Sequence, residues 1–339
     1  MKLATYASKT GNSIALVWNE GLIDIPSVAQ KIGRAMPANM LQLLNDLNTT
    51  EPILSEIARR YQIGDFQEFL FPENSVSLCA PVPKPPAYRD GYAFRQHVEA
   101  ARRNRKAPMI PEFDQYPIFY FSNHQAITGP GALYFMADHF HKLDFELEVA
   151  AVIGRGGRNI RAQNADNHIF GYTILNDWSA RTLQMEEMLL NLGPAKGKDF
   201  ASSIGPYLVT KDELAPYLQS PKHGHIGEQY CLPMAAYIND NQVSAGNMAE
   251  MDWTFAEIIE RCAYGVTIYP GEIVGSGTVG TGCLLELNGT KLLNDPNYHA
   301  QWLKPGDTVT LTIEHMGKLT NTIQIEDNFS ILSQKHTPN

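Results

Sequence analysis

The chain has 339 residues, of which 44% are hydrophobic and 19% charged, with a formal net charge of -9. This composition is typical of a globular protein with a large core, and the negative charge gives no reason to expect a nucleic-acid partner. No window approaches ~18 consecutive apolar residues and the amino terminus lacks the apolar core of a signal peptide, so we expect neither membrane spanning nor export. The cytoplasm is the expected compartment. The four cysteines show no CxxC spacing, which indicates neither a zinc site nor a disulfide framework.

The amino-terminal region, residues 1–78, is predicted to form a small α/β domain. Its predicted elements are a strand at 13–18 and helices at 25–32 and 40–61. Segment 79–91 then carries four prolines, which cannot continue a helix or a central strand. We therefore predict that 79–91 is a linker to a larger catalytic domain that spans 92–335.

The larger domain begins with a predicted helix at 92–105, and short strands dominate the rest of it. The strands are predicted at 118–122, 145–153, 170–175, 207–210, 235–238, 272–276, 283–287, 308–313 and 321–325. Many short strands separated by glycine and proline turns favour a mostly antiparallel, closed or sandwich-like β architecture. The predicted fold class is therefore α+β, mostly β.

Two carboxylates in the strand at 145–153 are the most informative feature of the chain. Glu146 and Glu148 alternate with apolar residues, so their side chains share one face of the strand. At a separation of about 7 Å they would repel each other in a cavity unless a cation lay between them. Asp177, which follows the apolar strand at 170–175, is the candidate third oxygen ligand. The pattern predicts a site for a hard divalent metal; a solvent-facing polar strand edge is the alternative.

A helix after Asp177 adds possible anion-binding groups. If the segment is helical from about Ser179, Arg181 and Gln184 lie on one face and could donate hydrogen bonds to a bound anion. An ordinary helix surface is the alternative interpretation. Lys198 lies in a glycine turn that leads into a strand, where a lysine is usually solvated.

One glycine motif resembles a dinucleotide-binding loop. The sequence GSGTVG at 275–280 satisfies GxGxxG, but that pattern binds pyrophosphate only when a helix follows the loop. Because a strand is predicted at 283–287, dinucleotide or nucleotide binding is only a weak alternative.

Four segments of the chain resemble the fumarylacetoacetate hydrolase family in order and spacing. They are DFELEVAAVIGRGGRNI, HIFGYTILNDWSARTLQ, LGPAKGKDFASSIGPYLVT and GEIVGSGTVGTGCLLELNG, within about residues 85–330. The resemblance implies a fumarylacetoacetase C-terminal-like fold of mixed, rolled β-sheets and commonly a homodimer. It also implies a divalent cation held by carboxylates, with Mg²⁺ as first choice and Mn²⁺ or Ca²⁺ as alternatives.

The resemblance assigns roles to individual residues. The metal would be held by Glu146, Glu148 and Asp177. The positions that match donors to a developing oxyanion are Arg181, Gln184 and Lys198, and those that match substrate contacts are Tyr120 and Thr278. The family's additional metal-binding aspartate falls on Ile118, so any fourth ligand must be water or another group.

The general base has two candidates. Glu286 matches a glutamate that pairs with a histidine to activate water, and His124 lies one position from the matching histidine slot, which makes it the first choice. His97 is the second choice, because the helix at 92–105 resembles a mobile lid of shorter family members in which a histidine and a glutamate close over the site. Glu99 would be its partner there, although residues two apart do not share a helix face.

The resemblance therefore implies a metal-dependent hydrolase that cleaves a carbon-carbon bond in a 1,3-diketo acid. The expected substrate is fumarylacetoacetate, cleaved to fumarate and acetoacetate in aromatic amino acid catabolism, or a related acylpyruvate. An oxaloacetate decarboxylase or a 2-oxopent-4-enoate hydratase of the same family is the alternative, and a non-catalytic protein that binds organic acids is a third possibility. In every case the partner is a small anionic diketo or 2-oxo acid, with no nucleic acid and no membrane.

Overall fold

The computed structural model of the protein describes residues 1–9, 11–19 and 21–332. The helices are α1 (Ile25–Lys31), α2 (Met40–Asn45), α3 (Leu47–Gln62), α4 (Arg95–Asn104), α5 (Ala162–Ala165), α6 (Arg181–Met188), α7 (Lys211–Leu214), α8 (Phe255–Ala263) and α9 (Leu284–Asn294). The first strands are β1 (Lys2–Ser8), β2 (Gly11–Trp18), β3 (Gly21–Asp24), β4 (Leu70–Pro72), β5 (Leu78–Cys79), β6 (Tyr88–Gly91), β7 (Phe119–Phe121), β8 (Ile127–Thr128), β9 (Gly131–Phe135), β10 (Leu143–Asp144), β11 (Leu147–Ile153) and β12 (Gly157–Arg158). The later strands are β13 (Ile169–Asn176), β14 (Ser179–Ala180), β15 (Ser202–Thr210), β16 (Leu218–Gln219), β17 (Gln229–Tyr230), β18 (Pro233–Ile238), β19 (Asn241–Asn247), β20 (Thr267–Ile268), β21 (Ile273–Gly275), β22 (Thr308–Ile313) and β23 (Gly317–Ile325).

Two sheets contain most of the strands in the described residues. The larger has twelve strands with the path β4-β3-β2-β1-β15-β13-β11-β21-β6-β7, to which β5 and β8 add beside β1 and β15. The smaller has five strands in the order β19-β18-β22-β23-β9. Pairing is mostly antiparallel, while β8 with β15, β6 with β21 and β9 with β23 are parallel. The fold is α+β and mostly β, which confirms the predicted class.

Strand β11 lies between two hydrophobic cores. Val149 and Ala151 face the core shared with the five-stranded sheet, whereas Ala150 and Val152 face the core shared with α1, α2 and α3. Because both faces are covered, the strand is apolar at nearly every position. The side chain of Glu148 lies on the same side of the strand as that of Ala150. Glu148 is the charged exception in this apolar strand, at the end where the functional cavity opens.

The amino-terminal strands belong to the main sheet. Strand β1 pairs with β15, and β6, at the end of the proline-rich segment 79–91, pairs with β21. The division into residues 1–78 and 92–335 stays a prediction.

The prediction of a strand at 283–287 is wrong, because helix α9 begins at Leu284. The carboxylate of Asp144 accepts hydrogen bonds from the backbone N–H of Leu284 at 2.7 Å and of Leu285 at 2.9 Å, and so caps the helix. A five-residue apolar run cannot by itself distinguish a strand from a buried helix turn. GSGTVG does therefore precede a helix, but Asp144 already occupies the amides that a pyrophosphate would need.

Two other boundaries differ from the prediction. The helix predicted at 40–61 is divided at Asp46 into α2 and α3, and strand β11 begins at Leu147, after Glu146.

No helix in the described ranges combines the length and the apolar composition needed to cross a membrane.

Candidate active site

A cavity of about 730 Å³ opens beside the ends of β6 and β11, between helices α4, α6 and α9. Most of the predicted site residues line it, namely His97, Tyr120, Glu146, Glu148, Arg181, Gln184, Lys198, Thr278 and Glu286. Asp177 lies directly behind this wall, where its carboxylate is bound by Lys198. His124 is half-buried in a short 3-10 turn and does not belong to the lining.

Buried carboxylates converge on the floor of the cavity. Oxygen atoms of Asp90, Glu146 and Glu148 lie within 4.8 Å of one another. Oε1 of Glu148 accepts a hydrogen bond from the Thr278 hydroxyl at 3.3 Å, whereas Oε2 is buried and no N–H or hydroxyl donor of the described chain reaches it. An all-oxygen set with one buried, unpartnered oxygen suits a hard cation such as Mg²⁺, Mn²⁺ or Ca²⁺.

Two buried cations hold Glu146 in its ionised form. The Lys198 ammonium contacts Glu146 and lies 2.5 Å from Oδ2 of Asp177, so it links two of the three predicted metal ligands. Nη2 of Arg181 lies 2.8 Å from Oε1 of Glu146 and 2.8 Å from Oδ2 of Asp144. Burial by itself raises the pKa of Glu146, but Lys198 and Arg181 outweigh it and lower the pKa to about 2.

The other two carboxylates, within the described residues, form no salt bridge with either cation. Burial raises the pKa of Glu148 well above its usual value, and the neighbouring charge of Asp90 raises it further. Burial likewise raises the pKa of Asp90 to about 8. A bound divalent cation would favour the ionised form of both groups. The residues present therefore fit the divalent metal that the family resemblance implies.

His97 and Glu286 form a buried pair at the wall of the cavity. Nδ1 of His97 lies 2.7 Å from Oε2 of Glu286, while Oε1 of Glu286 accepts the backbone N–H of Thr281 at 2.9 Å. An ionised carboxylate only accepts hydrogen bonds, so Nδ1 carries the proton and Nε2 is left as a base. A ring nitrogen of His97 also lies within 4.8 Å of a Glu146 oxygen. The pair can therefore move a proton beside the carboxylate cluster.

The histidine beside Glu286 is thus the second-choice candidate, His97, and not His124. The packing of α4 against α9 brings the pair together, since Nδ2 of Asn104 donates to the Glu286 carbonyl at 3.0 Å. Gly289 permits this close approach, because a Cβ there would lie 2.4 Å from Asn104 Nδ2. Glu99, the expected lid partner of His97, is exposed.

The remaining predicted residues line the cavity and also form hydrogen bonds with other residues of the site. The Tyr120 hydroxyl donates to Asp177, and Nη1 of Arg181 donates to Oε1 of Gln184 at 3.0 Å. Because Nε and Nη2 of Arg181 bind Asp144 and Glu146, Arg181 mainly holds carboxylates in place. The Gln184 amide nitrogen can still donate to an anion in the cavity.

Sequence reasoning missed two acids of this site, Asp90 and Asp144. Asp90 lies in the short, fully buried strand β6, so a charged residue in a buried strand was the available signal. Asp144 is two residues before Glu146 in the same segment, and it binds both Arg181 and the amino terminus of α9.

Comparisons with known proteins agree with this architecture. The family model for the fumarylacetoacetate (FAA) hydrolase C-terminal domain matches residues 87–324. The chain is 32% identical over 294 residues to fumarylacetoacetase of Oryza sativa subsp. japonica, covering 74% of this chain but 63% of that protein, so it spans less than two thirds of that relative's length. It is 30% identical over 261 residues to oxaloacetate tautomerase YisK of Bacillus subtilis (strain 168), covering 75% of each.

A solved structure shows the same fold. Fumarylacetoacetate hydrolase from the psychrophile Exiguobacterium antarcticum matches with a TM-score of 0.68 at 21% identity, over 96% of this chain and all of that one. With a family model that covers most of the chain, the protein belongs to the fumarylacetoacetate hydrolase family.

Proposed function

We propose that the protein is a metal-dependent hydrolase that cleaves a carbon-carbon bond of a 1,3-diketo acid, either fumarylacetoacetate or an acylpyruvate. The observation that carries this proposal is the buried His97–Glu286 pair beside the carboxylates of Glu146 and Glu148. Hydrolysis needs a base that activates water, and this pair supplies one within reach of a cation site.

Glu146, Glu148 and Asp177 are the proposed metal ligands, with Mg²⁺ as first choice and Mn²⁺ or Ca²⁺ as alternatives. When bound, such a cation polarises the carbonyl oxygens of a chelating diketo acid. Tyr120 and Thr278 line the cavity and donate to Asp177 and Glu148, so both are proposed substrate contacts.

The proton transfers follow from the tautomer of His97. Nε2 takes a proton from water, and Glu286 stabilises the resulting imidazolium through the Nδ1–H hydrogen bond. The hydroxide attacks a ketone carbon, the carbon-carbon bond breaks, and the carbanion leaves as an enolate that takes the proton back from His97. Arg181, Gln184 and Lys198 all line the cavity and are the proposed donors that stabilise the developing oxyanion.

Further cations on the cavity wall support an anionic substrate. The cavity is also lined by Arg102 and Arg105, on or beside α4, and by Lys142. In the described chain none of the three forms a salt bridge with a carboxylate. They can therefore contribute to binding a substrate with a second carboxylate.

Oxaloacetate tautomerisation is the second candidate. It is favoured by the similarity to a protein named oxaloacetate tautomerase, which extends over 75% of both chains. His97 could take a proton from the carbon next to the keto group and return it to the enol oxygen, with no hydrolytic water. A decarboxylase or hydratase would use the same cation without a hydrolytic pair.

The test is turnover of acetylpyruvate and fumarylacetoacetate by purified protein with Mg²⁺ or Mn²⁺, and again after EDTA. We expect an EDTA-sensitive loss of the diketone absorbance that His97→Gln abolishes and the matched variant His124→Gln retains. No loss with metal bound would refute the hydrolase. Faster interconversion of enol and keto oxaloacetate would then support the tautomerase.

The homodimer and the cytoplasmic location also stay predictions. Size-exclusion chromatography with light scattering measures the first, and a mass of one chain would contradict it.

A further inference from the structure

We propose that His97, Glu146 and Cys283 form a second metal site, which selects Zn²⁺ over Mg²⁺ and blocks the base of the cavity when it is filled. A ring nitrogen, a carboxylate oxygen and the sulfur of these residues lie within 4.8 Å of one another. The three ligands come from distant segments of the chain, so the cysteine spacing gave no indication of the site. Only its effect on turnover rests on the proposed function, in which His97 is the base.

The donor atoms of this cluster are those that zinc prefers. Zn²⁺ is bound by cysteine sulfur, histidine nitrogen and carboxylate oxygen, whereas Mg²⁺ is bound by oxygen alone. A soft thiolate therefore favours Zn²⁺ over a hard cation. The neighbouring cluster of Asp90, Glu146 and Glu148 offers only oxygen. The two clusters share Glu146 but differ in chemistry, so we expect them to select different ions.

The spacing of the three ligands is close to that of a filled zinc site. Bonds of about 2.0–2.3 Å in a tetrahedron place the ligand atoms roughly 3.3–3.6 Å apart. Atoms within 4.8 Å of one another need to approach by at most roughly 1.5 Å to reach this spacing. Exposure of His97, Glu146 and Cys283 is 7%, 6% and 0%, so all three side chains are already confined. His97 and Glu146 line the cavity, which leaves the fourth position of the ion to water.

His97 is held in the form that binds a metal ion. Its Nδ1 lies 2.7 Å from Oε2 of Glu286 and carries the proton, so Nε2 keeps a free lone pair. Histidines that bind metals usually donate their other N–H to a carboxylate in this way. The same lone pair is the proposed base. An ion bound to Nε2 therefore prevents His97 from taking a proton from water.

Cys283 supplies the charge that distinguishes this site. It is the N-cap residue of α9, at the positive end of the helix, and it forms no disulfide within the described residues. Burial raises the pKa of the thiol well above its usual value, so the sulfur is protonated without an ion. When Zn²⁺ binds, the S–H bond breaks, the proton passes to solvent and a sulfur lone pair binds the ion. The thiolate and the Glu146 carboxylate then balance the two positive charges.

The test is titration of the Mg²⁺-saturated protein with Co²⁺, a spectroscopic substitute for Zn²⁺. A cobalt–thiolate bond gives a charge-transfer absorption, and Co²⁺ held by oxygen ligands gives none. We expect this absorption in the wild-type protein, its loss in Cys283→Ser, and its removal when Zn²⁺ displaces Co²⁺. The measurement needs no turnover, so its result does not depend on the proposed hydrolase.

Matched variants separate this role from general damage. Cys262 is also buried but lies in α8, so Cys262→Ser should keep the absorption. His97→Gln keeps the thiol and removes one ligand. Since loss of an outer-shell partner already weakens metal affinity about 10–100-fold, His97→Gln should weaken Co²⁺ binding at least 10-fold. If Cys283→Ser does not fold, His97→Gln decides the question.

No charge-transfer absorption in the wild-type protein would overturn the site, and so would Cys283→Ser that keeps it or His97→Gln with wild-type Co²⁺ affinity. The blocking of the base is tested by adding Zn²⁺ to the Mg²⁺-saturated protein during acetylpyruvate cleavage. Zn²⁺ should inhibit the wild-type protein at a concentration at least 10-fold lower than Cys283→Ser, each compared with its own zinc-free rate. Equal inhibition of both would overturn the blocking. Absence of cleavage before zinc is added refutes the hydrolase and leaves the zinc site to the cobalt titration.

Discussion

Replacing Glu286 with glutamine should reverse the tautomer of His97. The glutamate accepts the Thr281 N–H through Oε1 at 2.9 Å and faces His97 Nδ1 through Oε2 at 2.7 Å. In Glu286→Gln the amide oxygen must stay on the Thr281 N–H, so the NH₂ group points at Nδ1. Nδ1 then has to accept, the ring proton moves to Nε2, and the base that faces the cavity is lost.

The expected loss in kcat is about 10⁴-fold, the scale measured when an acid-to-amide change imposes the wrong histidine tautomer in another hydrolase. At 1.36 kcal/mol per tenfold, this is about 5.4 kcal/mol of transition-state stabilisation. The assay is steady-state cleavage of acetylpyruvate, with nitrogen chemical shifts of His97 read by NMR as an independent measure of the tautomer.

A second His–Glu pair in the chain provides the matched control. Nδ1 of His225 lies 3.0 Å from Oε2 of Glu257, and neither residue lines the cavity. Glu257 also accepts the N–H of Thr254 in the capping box of α8, a position that glutamine fills as well as glutamate, so Glu257→Gln should keep the helix cap and leave kcat unchanged. Glu286→Gln that keeps a tenth of wild-type kcat, or that keeps the proton on Nδ1, would refute the reasoning.

Three further predictions concern the charged groups. Glu148→Ala should abolish both Mn²⁺ binding by titration calorimetry and turnover, and retention of either would contradict the assigned ligand. Asp144→Ala should lower the free energy of unfolding in urea by about 3–5 kcal/mol, because it uncaps α9 and removes one partner of the buried Arg181; a loss under about 1 kcal/mol would contradict this. Burial, with help from Glu228, raises the pKa of Asp166 from 3.8 to about 6, so the native state holds this proton more tightly than the unfolded state. The resulting stability is complete below pH 3.8 and lost as the pH rises through about 6, so the melting temperature of Asp166→Asn relative to wild type should rise over this window, and a pH-independent difference would refute the assignment.

Local periodicity alone determines the relative placement of several residues of this site. Glu146 and Glu148 are one residue apart in a segment whose backbone alternates its side chains, so their common direction follows from extended geometry. Arg181 and Gln184 are three apart, and in helix α6 that spacing gives the 3.0 Å contact between Nη1 and Oε1. The α+β class follows in the same way from short strands separated by turns.

The partner of Glu286 could not be chosen from local pattern. His97 is 189 positions away in the chain, and the two meet only because α4 packs on α9 at Gly289. The apolar run at 283–287 was consistent with a strand, and its helical state depends on a cap from Asp144, about 140 residues earlier.

The sequence by itself therefore determined the fold class, the carboxylate pair and the family resemblance, because these depend on short-range backbone geometry and on motif order. The tertiary structure decided which histidine faces Glu286, that helix α9 and not a strand follows the glycine loop, and that Asp90 joins Glu146 and Glu148. Each of these depends on a contact between distant segments, whose energy comes from burial and charge pairing that no local periodicity encodes.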